Sequence, residues 1–455
     1  MSMDKAIAFA KNNRDRFLRD LQELLQIPSI STFSEYDSET QRAAEWLMYR
    51  LLKLGFEARL LPMDGPQIVY AERMHANPKA PILLLYGHYD VQPPEPLEEW
   101  ITPPFSPTVR GENLYARGAS DMKGPLMAYL ATLESILASD TLPVSVKVLF
   151  EGEEEVGSPH LAEALKKHKQ LLRCDAVLNC DTLILSPDLP TLVYGLRGLA
   201  YFELRVETAE HDLHSGLFGG AIPNAGQVLA ELIAGMHDPQ GRVTLPHFYD
   251  DVLAIEPDER AELARVPWTE KDFIAQATAL GVNGEEGYTI VERIGARPTL
   301  EVNGLLCGFT GEGSKTVLPA RAMAKISMRL VPDQKPERVK EQFEEYLRMR
   351  APAWVKWEVV DLAGSPAGLV RRDTPAMQAA IRALEAAFGV RPVFAREGGS
   401  VPVVSWIQDI LGRESIMMGV SLPDDNLHAP NEKLHLPTLW RGVEAYIRFF
   451  YELAK

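Results

Sequence analysis

Apolar and polar positions along this chain follow two different periods, and the switch between them divides it. Over residues 4–26, Phe17, Leu18, Leu21, Leu24 and Leu25 recur at helical spacing, and Pro28 ends the run. Ala44, Leu47, Leu51 and Leu52 form the inner stripe of a second helix over about 39–54, stopped by Gly55. Short, continuous apolar runs then read as strands at 67–71, 82–86, 144–150 and 176–180. Helical segments at 125–138 and 159–172 separate several of them. Strand and helix in alternation predict an α/β domain, its mixed, mostly parallel sheet flanked by helices.

Near residue 196 the pattern changes. Residues 198–207 alternate, with Leu199, Tyr201 or Phe202, Leu204 and Val206 as the apolar positions. A helix follows at about 224–237, then a long, irregular acidic stretch at 248–298. Strands return at 299–303, 322–330 and 355–361, with a Pro-started helix between the last two. These elements make a self-contained α+β unit. A helix near Pro375 and a strand at 415–418 then resume the first pattern. The expected organisation is a first domain made of 1–195 and 368–455, with 196–367 inserted into it.

Composition narrows the class. A chain of 455 residues, 46% hydrophobic and 24% charged, has enough apolar material for two or three ordinary cores. A net charge of −16 without a long Lys/Arg run argues against nucleic acid or an anionic membrane as partner. The first residues, MSMDKAIAFAKNNRDRF, form no apolar signal core, and no stretch approaches ~18 apolar residues. The three cysteines have no metal-type spacing and read as reduced thiols. A cytoplasmic location is expected.

Six short polar segments carry the chemistry: GHYDVQP (87–93), RGASDMKG (117–124), EGEEEVGS (151–158), NCDT (179–182), DLHSG (212–216) and LHAP (427–430). Three of them directly follow buried strands, where open α/β sheets put their ligand crevice. Taken singly, several have plain readings. Asp121 could cap the following helix, and His428 could be a surface-loop histidine. The clustered Glu151, Glu153, Glu154 and Glu155 are harder to dismiss, because carboxylates without basic partners repel one another. Taken together, His88, Asp121, Glu155, Asp181 and His428 suit two hydrolytic metal ions: one imidazole and one private carboxylate each, plus one shared carboxylate. Glu154 and Glu155 are adjacent and cannot point alike. One of them should bind metal while the other acts as a base towards bound water.

These segments resemble the aminoacylase/carnosinase family of dinuclear zinc metallopeptidases, and most of all its cytosolic dipeptidase branch. The resemblance runs from Ile27-Pro-Ser-Ile-Ser31 to His428-Ala-Pro-Asn-Glu432. It implies His88 and Asp181 as ligands of one ion, Glu155 and His428 of the other, and Asp121 as the bridge. It makes Glu154 the general base of a metal-bridging hydroxide, Asp90 an orienting acid, and the Asp121–Met122 peptide bond cis. Met122 departs mildly from the second Asp often found there. In the inserted lid and dimerisation domain, His214 corresponds to the histidine that supports the oxyanion, usually from a partner subunit. Thr316, Arg329, Gly399 and Ser400 match positions that hold a substrate carboxylate. The implied activity is amide hydrolysis of dipeptides or other short peptides, by a homodimer using two divalent ions. Zn²⁺ comes first, with Mn²⁺ or Co²⁺ also suited. The same site serves N-acyl amino acid deacylases of the acetylornithine or succinyl-diaminopimelate type, which is the alternative reading. A non-catalytic metal-binding scaffold would have no reason to keep Glu154.

Overall fold

The computed structural model describes residues 2–399 and 402–455. It divides into two compact units. The first comprises Met1–Tyr194, Val370–Ala395 and Val403–Lys455, and the second Gly195–Leu369 with Arg396–Pro402.

In the first unit the strands run, side by side, Glu57–Leu61, Ile68–Arg73, Ser145–Glu151, Ile82–His88, Ala176–Asn179, Ser415–Met417 and Thr191–Leu196. The middle pairings are parallel: Ile82–His88 lies between Ser145–Glu151 and Ala176–Asn179, and Ser415–Met417 continues on the far side. The outer pairings are antiparallel. Ser145–Glu151 is buried throughout, as an apolar run covered on both faces should be. The helix Lys123–Leu137 is almost wholly buried, and Tyr129 on it stacks on Phe150 at 6.3 Å between ring centroids. The predicted first helix is two, Ser2–Asn12 and Arg14–Leu25, and the segment expected at 159–172 is helical only over Leu161–Lys167.

The second unit holds an antiparallel sheet in the order Thr299–Cys307, Arg321–Leu330, Gly198–Glu207, Lys356–Ser365. Ala200, Phe202, Leu204 and Val206 face a core shared with Leu229 and Leu232 of one helix and Phe343 and Leu347 of another. Leu199 and Tyr201 therefore belong to the opposite face, which corrects the apolar set expected for that strand. The acidic stretch at 248–298 is also not irregular. It contains helices Pro257–Leu263, Glu270–Ala277 and Ile290–Ala296. Two of these begin with reciprocal capping boxes, Thr269 with Asp272 and Thr289 with Glu292. Its carboxylates are partners of arginines: Glu285 grips Arg297 at 2.7 and 2.8 Å, and Glu292 meets Arg260 at 2.9 Å.

Residues Arg396–Pro402 group with Gly195–Leu369. Arg396 is buried against Glu259, and a Cβ on Gly295 would sit 2.4 Å from the Arg396 carbonyl oxygen. A Cβ on Gly398 would likewise meet the Ile294 carbonyl oxygen at 2.9 Å. The glycine loop is thus seated on the helices of the acidic stretch. Among the described residues no helix is long and apolar enough to cross a membrane.

Candidate dinuclear metal centre

Three parallel neighbours deliver the first side chains. His88 ends its strand directly opposite Glu151, and Asp181 follows the next strand by two residues. In the extended GHYDVQP segment, His88, Asp90 and Gln92 alternate onto one side. His88 and Asp90 are fully buried. His88 Nδ1 lies 3.1 Å from the Asp90 carbonyl oxygen and 3.3 Å from Asp90 Oδ1. An N–H on Nδ1 is held there, which leaves the Nε2 lone pair for a cation. The same Asp90 carboxylate accepts the backbone N–H groups of Glu154 (3.2 Å) and Glu155 (3.0 Å). One buried acid therefore orients the imidazole and fixes the glutamate turn.

His88 Nε2 points to Asp121 Oδ1 at 3.1 Å and to Asp181 Oδ2 at 3.9 Å. The other Asp121 oxygen, Oδ2, is 3.0 Å from His428 Nε2, which is itself 3.3 Å from Glu155 Oε2. Two sets of ligand atoms result, His88–Asp121–Asp181 and Asp121–Glu155–His428, each set within 4.8 Å of one another and sharing Asp121. Glu154 belongs to neither. The donors fit two divalent ions: each set has one imidazole and two carboxylates, and Glu155 Oε1 is buried without a partner among the described residues. The Asp121–Met122 bond is cis, and His428 has a left-handed φ of 60°.

Several supports were not singled out as site residues in the sequence. Glu432, fully buried, accepts the N–H groups of Gly118, Ser120 and Asp121 at 2.9, 2.9 and 3.0 Å and pairs with Arg117 at 2.7 Å. It thereby holds the loop that presents Asp121. Asn179 accepts the Asp181 N–H at 2.8 Å, and Gln92 donates to Glu155 Oε2 at 2.9 Å. Gln92 was open to discovery by its two-residue spacing from Asp90. The IPSIS segment braces the site from behind: the Ser29 hydroxyl donates to the Tyr89 carbonyl, and buried Lys123 donates to that of Ile27 at 2.6 Å.

The charges are mutually dependent. Burial works against a charged His88, but hydrogen bonds to Asp121 and Asp90 outweigh it and raise its pKa well above the usual imidazole value. Hydrogen bonds to Asp121 and Glu155 lift His428 to about 10. Burial would raise Asp121, yet the two histidines hold it well below the ordinary carboxylate range. Burial, with the charges of Asp121 and Asp90, lifts Asp181 to about 6. Burial also raises Glu154 strongly, aided by Asp181, Glu155 and Asp121. Too many acids are crowded here to ionise together without added positive charge, which bound cations would supply.

The remaining sequence-predicted residues lie in the second unit. His214 is exposed and pairs with Val317 across a two-residue ladder, so Thr316 is its near neighbour. Its Nδ1 accepts the Gly216 N–H at 3.0 Å, which assigns the ring proton to Nε2. Arg329 is half-buried, its pKa lowered by that burial. Gly399 is in the glycine loop, and Ser400 lies outside the described residues.

Fold and site together define a metallopeptidase. Residues 84–452 match peptidase family M20/M25/M40, and the chain belongs to that family. It is 30% identical over 473 aligned residues to the Cys-Gly metallodipeptidase dug1 of Schizosaccharomyces pombe, covering 100% of this chain and 99% of that one. Among solved structures it resembles the M20 family metallo-carboxypeptidase Sso-CP2 of Sulfolobus solfataricus, with TM-score 0.86, 32% identity, and 96% and 99% of the two chains covered. It also resembles human carnosine dipeptidase 1, with TM-score 0.81, 28% identity, and 100% and 99% covered.

Proposed function

We propose that this enzyme hydrolyses the peptide bond of dipeptides and other short peptides with a free C-terminal carboxylate. The observation that carries the reading is the pair of donor sets joined by Asp121, with Glu154 beside them and in neither. His88 and Asp181 would hold one divalent ion, Glu155 and His428 the other, with Asp121 available to both. Zn²⁺ is the first choice, and Mn²⁺ or Co²⁺ suit the same donors. When bound, the ions supply a water acidified to near neutral pH and polarise the scissile carbonyl. Glu154 takes the proton of the attacking water and passes it to the departing amine. Asp90 keeps His88 in its ligating tautomer. His214, with its proton on Nε2, donates to the carbonyl oxygen as charge develops there. Arg329, Thr316 and the loop at Gly399 and Ser400 hold the substrate carboxylate.

We further assign the enzyme to the cytoplasm, in keeping with three free cysteines, and to a homodimer formed through the second unit. The strand Thr299–Cys307 is an open edge of its sheet and exposes Leu305 (65%) and Leu306 (58%), with Phe309 (46%) just beyond it. Such an edge favours pairing with a second copy.

The direct test is a panel of dipeptides against N-acyl amino acids and denatured protein, with the metal-loaded enzyme. Dipeptides are expected to be turned over fastest. Preference for N-acyl amino acids, or release of residues from protein interiors, would contradict the reading. Mixed dimers of inactive His214→Ala and Glu154→Ala subunits should regain part of the activity if His214 acts across the interface. Absence of rescue in verified mixed dimers would place its action within one chain.

A further inference from the structure

Arg197 is assigned no role by the reading above, although two parts of the carboxylate clamp meet at it. It immediately precedes the strand Gly198–Glu207, in which Leu199 pairs with Arg329. Side chains two apart in an extended chain share a face, which sets Arg197 diagonally across from Arg329 on the face turned away from the core. On its other side Arg197 lies against the glycine loop. Its Nε donates to the Gly398 carbonyl at 3.2 Å, and a Cβ on Gly398 would sit 2.7 Å from its Nη2. A side chain at Gly398 would meet that guanidinium on one side and the Ile294 carbonyl oxygen on the other.

The group is short of partners. Nη1 is buried and has no hydrogen-bond partner among the described residues, and Arg197 forms no salt bridge there. Burial lowers its pKa to about 10, and the charge of Arg329 pushes the same way, opposed only by exposed Glu301. Two guanidiniums brought near each other, one with a buried unpaired N–H, form a poor arrangement unless an anion joins them.

We infer that Arg197 is a second carboxylate-binding residue, which together with Arg329 grips the C-terminal carboxylate of the peptide substrate. The bond to Gly398 spends Nε on aiming the guanidinium and leaves Nη1 for the ligand. This inference deepens the proposed function and rests on it for the identity of the anion. Arg197 binds in both ground and transition states, so it acts on KM more than on kcat.

The test compares a dipeptide with its own C-terminal amide, using wild type, Arg197→Gln and Arg197→Lys, each checked for full metal content and unchanged melting. In Arg197→Gln, kcat/KM for the free acid is expected to fall about ten- to hundredfold, mainly through KM. The amide should change less than about threefold, so selectivity for the acid collapses. Arg197→Lys should recover part of that selectivity, because it keeps the charge and loses the fork. Equal losses for acid and amide would show that Arg197 only supports the Gly398 loop, and would overturn the assignment. So would no change for either. Binding of a non-hydrolysed phosphinic dipeptide and its amide, measured by calorimetry, separates this from the broader reading. Wild type idle on every dipeptide sinks the functional reading, whereas Arg197→Gln binding the acid as tightly as wild type does sinks the Arg197 assignment.

Discussion

The candidate metal centre and the proposed carboxylate clamp are built in opposite ways. The metal centre draws His88 and Asp181 from the ends of neighbouring buried strands and Asp121 from the turn before the helix Lys123–Leu137, each held by a further buried group: His88 by Asp90, Asp121 by Glu432, Asp181 by Asn179. The clamp residues are more exposed, come from distant points of the second unit, and depend on an acidic insertion that seats the glycine loop through Glu259 and Arg396. Chemistry sits where the fold leaves least freedom, and selectivity sits where loops and insertions can vary. Changes in the first region should therefore abolish metal binding and turnover. Changes in the second should alter which substrate is held while the metals stay.

The largest expected effect is that of Asp121→Ala, which removes the only carboxylate common to both donor sets. Metal content by elemental analysis should fall to one ion per chain or fewer, with turnover down by more than about 10³-fold. Two retained ions would refute the bridge. Next is Glu432→Ala, which leaves Arg117 buried without its carboxylate. Unfolding in urea should show a loss of about 3–5 kcal/mol, and metal affinity should weaken by about 10–100-fold through the displaced Asp121 loop. Unchanged affinity would mean that this support is not needed.

Glu259→Gln probes the other region with a smaller effect. KM for dipeptides should rise about tenfold, on the scale of one charge-assisted hydrogen bond, while metal content and kcat hold. If metal content fell instead, the division between the regions would fail. The smallest effect concerns pH. His88 and His428 are held protonated above the ordinary imidazole range, His428 to about 10, so cations must displace those protons at neutral pH. Metal binding should then release protons, and apparent affinity should climb as pH rises towards that value. Calorimetry in buffers of different ionisation enthalpy reads the release directly. Affinity independent of pH would show that the histidines are already neutral before metal binds. The clamp arginines stay charged around neutral pH and should contribute no such slope there.

The same contrast governs what could be read from the sequence. Strand ends carrying His88, Glu151 and Asp181 stand out because a buried apolar run that stops at a charged residue is a local signal. The alternation that places Phe202, Leu204 and Val206 on the core face is local too. Glu432 was visible only as part of a motif, since its hydrogen bonds to residues 118–121 cross more than 300 positions of chain. Arg197 and Glu259 gave no signal. An arginine at a strand start and a glutamate in an acidic run are ordinary in sequence, and acquire meaning only when folding sets them against Gly398 and Arg396. The helices within 248–298 could have been found, because Thr269-x-x-Asp272 and Thr289-x-x-Glu292 are capping signals, but net acidity obscured them.

The central claim is that two ions share Asp121 while Glu154 stays unligated and moves the proton. Glu154→Gln, purified beside wild type and measured for both metal content and dipeptide turnover, tests it most directly. The account predicts two ions per chain in each protein, with kcat lower by about 10²–10⁴-fold in the variant. A variant that lost an ion would make Glu154 a ligand. A fully loaded variant that kept wild-type turnover would remove it from the reaction.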